Sequence, residues 1–213
     1  MLKNFLKKFR YFRLLNYVIN SNYIKYKVFN TLNKDSIVVD IGAHIGQVTQ
    51  YIDDKFSSKI YCYEPNNEIF KILKNNFLYK NNIELNNVAV SDSKKNDSLF
   101  FTSTKSNLGD VNESLKYSIE NRKKNISNEN FIKIKVVTIS ELLNRFKKID
   151  LIKINIEGHE YKILPEIIKN KHKIGKVVCQ LHGDYVNHLN DAHNDLLNEL
   201  DELDLLHKWF YEW

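Results

Sequence analysis

A chain of 213 residues, 43% hydrophobic and 27% charged, has enough apolar material for one folded domain and falls outside the collagen-like and disordered classes. Its formal charge of +6 would suit an anionic partner, but lysines dispersed over solvated faces account for it as well, and no apolar run approaches the ~20 residues that span a bilayer. No apolar stretch with a small-residue cleavage site opens the chain, so the expectation is a cytoplasmic protein without a secretory signal.

Residues 1–33 are expected to form a helical extension. Leu2, Phe5, Leu6, Phe9 and Phe12 recur at helical spacing, with Lys3, Lys7, Lys8 and Arg10 on the other face. Such a helix either caps the core or a pocket, which is the expectation adopted, or lets residues 1–13 lie peripherally on a membrane.

From residue 34 to 213 one domain is expected, in which strands alternate with helices. Strand 37–41 enters the turn Gly-Ala-His-Ile-Gly and a helix to about residue 55. Strand 59–63 ends at Glu64-Pro65, with Pro65 suited to the first turn of helix 66–79. A third strand is expected at 83–90. Residues 91–130 are polar and without periodicity, so they read as an insertion or a mobile loop, placed where a lid could lie. Strand 131–138 follows, then helix 141–146 with Ser140 as its N-cap. Strand 150–156, helix 159–170, strand 176–181 and helix 191–206 complete the alternation, and Trp209-Phe210-Tyr211 is a candidate edge strand. The pattern implies an α/β fold, a mostly parallel central sheet flanked by helices. Cys62 and Cys179 fall on strands three spacings apart, roughly 14 Å, too far for a disulfide, so free thiols are expected.

A strand running into a glycine turn and then a helix handles nucleotides, because glycine permits close backbone approach and the helix start offers free N–H groups. The spacing here, Asp40, Gly42 and Gly46 with Ala43 and His44 between the glycines, is not the G-x-G-x-x-G of a pyrophosphate cradle. Asp40 stands where it would attract a cation or an ammonium. Glu64, 22 positions after Gly42, stands where an acid accepts hydrogen bonds from a ribose diol. A ligand with an ammonium, a ribose and no phosphate meets these features, and S-adenosylmethionine is such a ligand.

With these residues in view, the chain resembles the FkbM-type family of class I, Rossmann-like S-adenosylmethionine-dependent methyltransferases. Residues 39–46 resemble the family's glycine-rich motif, and Tyr61-Cys62-Tyr63-Glu64-Pro65 its second. Residues 87–92 resemble the segment lining the adenine pocket, 137–143 the segment before the fourth core strand, and 150–160 the signature K-x-D-x-E-G-x-E. The resemblance implies that Asp40, Gly42, His44, Gly46 and Glu64 hold S-adenosylmethionine, that Val88 and Ala89 border its adenine, and that a methyl group passes to a hydroxyl, by family analogy that of a small molecule, sugar or glycan.

Side chains two apart on a strand share a face, which pairs Asn155 with Glu157 and Gln180 with His182 at the acceptor end. His182 is the expected general base, its alternative role being only to orient its neighbours; Glu157 either helps at the hydroxyl or simply favours a helix start. Three positions depart from the family pattern. His44 replaces an Asn, Asn155 an Asp and Gln180 a Glu, and an amide neither takes a proton at neutral pH nor serves Mg²⁺ well. No cysteine pair has zinc spacing, and His182, Asp184, His188 and His193 read as scattered residues, so no metal is expected. The rival readings are a non-catalytic module that binds S-adenosylmethionine or a partner, a methyltransferase of nucleic acid (a partner not expected from charge alone), and a nicotinamide dehydrogenase.

Overall fold

Five parallel strands form the central sheet of the computed structural model, which describes residues 29–95, 97–100, 118–119, 130–182, 190–203 and 205, with backbone alone at 190–192. In chain order the first half is β1 (Ile37–Ile41), α1 (Gln47–Phe56), β2 (Lys59–Tyr63), α2 (Asn67–Asn76) and β3 (Ile83–Asn86). The second contributes β8 (Ile149–Ile154), α4 (Glu160–Lys169) and β9 (Ile174–Cys179), and α5 (Asn190–Glu202) closes the described chain. The strand order is β3-β2-β1-β8-β9. The chain therefore reverses its direction of winding between β1 and β8, the switch point at whose carboxyl ends open α/β sheets bind ligands.

Both faces of the sheet are covered, as parallel sheets require. Val39 and Ile41 point to one side, where Ile152, Ile154, Leu142, Leu164 and Ile167 bury with them. Val38 points to the other, with Ile52, Ile60, Leu73, Phe77, Leu151 and, from the end of the N-terminal extension, Phe29. Alternation puts Asp40 on the Val38 face, directly between Cys62 and Lys153 in the strand register. Cys62 and Cys179 are both buried free thiols.

Several boundaries differ from the sequence expectation, each for a local reason. The third strand breaks into β3 and β4 (Ala89–Ser91), because Asn87 turns its amide onto the carbonyls of Glu64 and Pro65 at 2.9 and 3.3 Å. Segment 131–138 is likewise two strands, β6 (Phe131–Lys133) and β7 (Val136–Thr138), and β7 pairs in parallel with β4. Helix α3 (Ile139–Asn144) starts earlier than expected: Thr138, not Ser140, caps it, in a reciprocal box with Glu141. Asn66 caps α2 with its side chain, which leaves Pro65 outside that helix. Within 91–130, β5 (Ser98–Phe100) pairs with β6 and Phe100 bridges to Ser118, so part of that segment is strand. Residues 1–28, 209–211, Asp184 and His188 lie outside the described residues. No helix among the described residues is long and apolar enough to cross a membrane.

Candidate active site

The turn after β1 is built around one close approach. Gly42 has φ 76°, and a Cβ there would lie 1.9 Å from the Asn155 carbonyl oxygen, so the β1 and β8 ends can converge only at a glycine. Gly46, φ 90°, meets a different constraint: its missing Cβ would strike the Phe77 ring at 2.3 Å as α1 begins. Asp40 faces the interior of the fold. Its Oδ1 lies 2.9 Å from Lys153 Nζ and its Oδ2 accepts the Thr49 hydroxyl at 2.7 Å. The cation that Asp40 meets is thus a side chain of its own sheet. Lys153 also donates to the Gly42 carbonyl at 2.6 Å, tying the turn to β8 from beneath.

Glu64, where β2 ends, is almost fully buried. Its Oε1 accepts the Asn66 N–H at 2.8 Å and its Oε2 the His44 N–H at 3.0 Å. Burial lifts its pKa to about 7 against the opposing pull of those two amides and of Lys153. It borders a cleft at the carboxyl ends of β1 and β8, partly open to solvent. Seven of the residues expected at the site line this cleft: Gly42, His44, Glu64, Val88, Ala89, Asn155 and Glu157. Asp40, Gly46 and His182 are not among its lining residues. Leu99, Ser118 and Ile119 also line it, so the segment read as a possible lid contributes wall residues that no sequence pattern marked.

At the other end the chain leaves β8 through Asn155, Ile156, Glu157 and Gly158. The Asn155 N–H continues the sheet onto the Ile41 carbonyl at 3.0 Å, while its Oδ1 is buried without a hydrogen-bond partner. Glu157 holds φ 58°, unusual for a residue with a side chain, and Gly158 follows at 108°. Ser118 Oγ donates to the Glu157 carbonyl at 2.6 Å. Behind them, the buried Glu160 accepts the N–H groups of Ile156 at 3.0 Å and Gly158 at 2.9 Å, and His182 Nδ1 at 2.9 Å. His182 Nε2 lies 3.3 Å from Glu157 Oε1.

Two carboxylates on one buried imidazole decide its charge. Burial pulls the His182 pKa down, but the hydrogen bonds and charges of Glu157 and Glu160 outweigh it and push the value up to about 9. The upward shift favours the imidazolium, the form that can donate to both partners. Both ring nitrogens of His182 lie against carboxylates, an arrangement that suits its alternative role in the sequence reading, a group that orients its neighbours. At this end of the cleft the lining carboxylate is that of Glu157. In the sequence Lys153 and Glu160 stand only as letters of a motif.

The donor set fits a ligand rich in hydrogen-bond donors. The cleft offers the Glu64 carboxyl, the orphaned Asn155 Oδ1 and the Glu157 carboxylate, and no lysine or arginine is among its described lining residues. Among the described residues no group of side chains could hold a metal ion.

A family model described as the Methyltransferase FkbM domain matches residues 40–205, from Asp40 of β1 to Leu205 beyond α5. A crystal structure of an rRNA methylase from Streptococcus thermophilus is 19% identical over 32% of this chain and 39% of that one, with a TM-score of 0.29. The chain thus spans about two-fifths of that protein's length. No curated protein matches.

Proposed function

The chain belongs to the FkbM methyltransferase family, and from that premise we propose that it transfers a methyl group from S-adenosylmethionine to a neutral hydroxyl, that of a sugar or glycan. The observation that carries the reading is the cleft at the sheet's switch point, with Glu64 at one end, Asn155 Oδ1 and Glu157 at the other, and no described cationic side chain from lysine or arginine between them. That chemistry suits hydroxyl and ammonium donors and disfavours a phosphate-bearing acceptor.

Glu64 would accept the ribose hydroxyls, Val88 and Ala89 would border the adenine, and the Gly42–His44 turn with Asn155 Oδ1 would hold the amino-acid end. Bound there, S-adenosylmethionine supplies a methyl group made electrophilic by its sulfonium. The chain's own work is alignment and proton removal. Glu157 takes the proton from the acceptor oxygen onto its carboxylate. The His182 imidazolium holds that carboxylate in place from behind, and Gly42 and Asn155 keep the two strand ends close enough to form one wall.

The test is incubation with methyl-labelled S-adenosylmethionine and a panel of neutral glycosides, following S-adenosylhomocysteine and labelled product. Turnover with a neutral hydroxyl acceptor, lowered about 10²- to 10⁴-fold in Glu157→Gln, is the expected result. Labelling of RNA or DNA in place of glycosides would replace this reading with the nucleic-acid one. Binding of S-adenosylmethionine without turnover of any acceptor would leave a non-catalytic module.

A further inference from the structure

Glu160 begins α4, where a carboxylate ordinarily faces solvent beside the positive helix end. Here it is fully buried, 0% exposed, and turned back under the preceding loop. A carboxylate withdrawn from water needs donors for its lone pairs, and it finds three: the N–H groups of Ile156 and Gly158 and Nδ1 of His182. The two amides bracket Glu157, the residue held at φ 58°. A non-glycine residue keeps that conformation only where its surroundings over-determine it. The imidazole closes the circuit, because its other nitrogen lies 3.3 Å from the Glu157 carboxylate. Capping of α4 would account for the Gly158 bond alone. It accounts neither for the complete burial nor for one oxygen that receives both the Ile156 amide and His182.

We infer that Glu160 is a positioning residue, which presents the Glu157 carboxylate to the cleft by two routes, the backbone of the 156–158 turn and the His182 imidazolium. The inference deepens the methyl-transfer reading and rests on it for the task of Glu157. The geometry of the unit is independent of that reading.

The test compares wild type with Glu160→Gln, which keeps the side chain's size and one acceptor oxygen and removes its charge. In the ligand-free full chain, NMR of labelled histidine follows the titration of His182, which Glu157 and Glu160 face among the described residues. Its midpoint, near 9 in the wild type, is expected to fall by about one unit or more when one carboxylate is neutralised. With substrates, kcat is expected to fall about 10- to 100-fold, because a slightly misplaced group costs that much. The Kd for S-adenosylmethionine stays within about threefold, since Glu64 and the Gly42 turn are untouched. An unmoved His182 midpoint, or an unchanged kcat, overturns the inference. If Glu160→Gln does not fold, His182→Gln cuts the side-chain route alone: a lower kcat with cofactor binding retained supports the inference, and an unchanged kcat overturns it. A moved midpoint in a chain that turns over no acceptor would count against the methyl-transfer reading, not against the coupling of Glu160 to His182.

Discussion

Replacing Lys153 by Met removes the one cation that, among the described residues, meets Asp40 inside the sheet. The pair is closed to solvent, with side-chain exposures of 5% and 1%, so water does not screen the loss. Asp40 would keep only the Thr49 hydroxyl, and the Gly42 carbonyl would lose its charged donor. Stripping one partner from a buried ion pair costs about 3–5 kcal/mol, most of it the stranded charge. A domain of this size has roughly 5–15 kcal/mol to lose and shifts its Tm by about 2–4 °C per kcal/mol, so a drop of about 6–20 °C is expected. Neutralising the stranded acid as well should return part of that loss: Asp40→Asn/Lys153→Met should be about 1–3 kcal/mol more stable than Lys153→Met alone. Urea and thermal unfolding measure both. A Lys153→Met loss under about 1 kcal/mol, or a double variant no better than the single, would refute the argument that this pair ties the glycine turn to β8.

Gly42→Ala would place a methyl group 1.9 Å from the Asn155 carbonyl oxygen at φ 76°, so overpacking and backbone strain together should cost about 2–5 kcal/mol in urea unfolding. Tolerance of the alanine would mean that β1 and β8 do not converge there. The raised pKa of Glu64 means that the folded chain holds this proton more tightly than the unfolded one. Its contribution to stability is full below the ordinary 4.5 and is lost as pH rises through about 7, on the order of 3 kcal/mol. Glu64→Gln should flatten that part of the stability profile. The ionised form accepts ribose hydroxyls more strongly than the neutral one, so wild-type affinity for S-adenosylmethionine should strengthen between about pH 6 and 8, and the variant should show no such rise. Cys62 is buried, and burial and then the charge of Asp40 raise its thiol far above the ordinary range, so an aromatic disulfide reagent should modify it only as fast as the chain opens. Rapid modification of the native protein would contradict the burial of the Asp40 face.

The parts legible in sequence were those with local signals. The glycine turn, Glu64 at a strand end and the alternation of strands with helices all announce themselves within a few residues. What was not legible depends on distant partners. Lys153 lies in the otherwise apolar segment Leu-Ile-Lys-Ile, and only the register that sets Asp40 opposite it, 113 positions away, explains why a lysine is buried there. His182 carries the right chemistry for a base when read alone. Its pKa is raised by Glu157 and Glu160, and their approach depends on a left-handed turn at a glutamate, which no propensity predicts. Ser140 and Thr138 are both good caps, and the choice went to Thr138 because Glu141 stands three residues after it. The wall residues Ser118 and Ile119 come from a polar stretch without periodicity, where sequence reading has nothing to hold.

Calorimetric titration of S-adenosylmethionine into wild type and Glu64→Ala asks whether the cleft beside Glu64 binds the cofactor. Saturable binding by the wild type is expected, weakening about 10-fold or more in the variant, with the fold intact by circular dichroism. No binding by the folded wild type, or equal binding by both, would contradict cofactor binding beside Glu64.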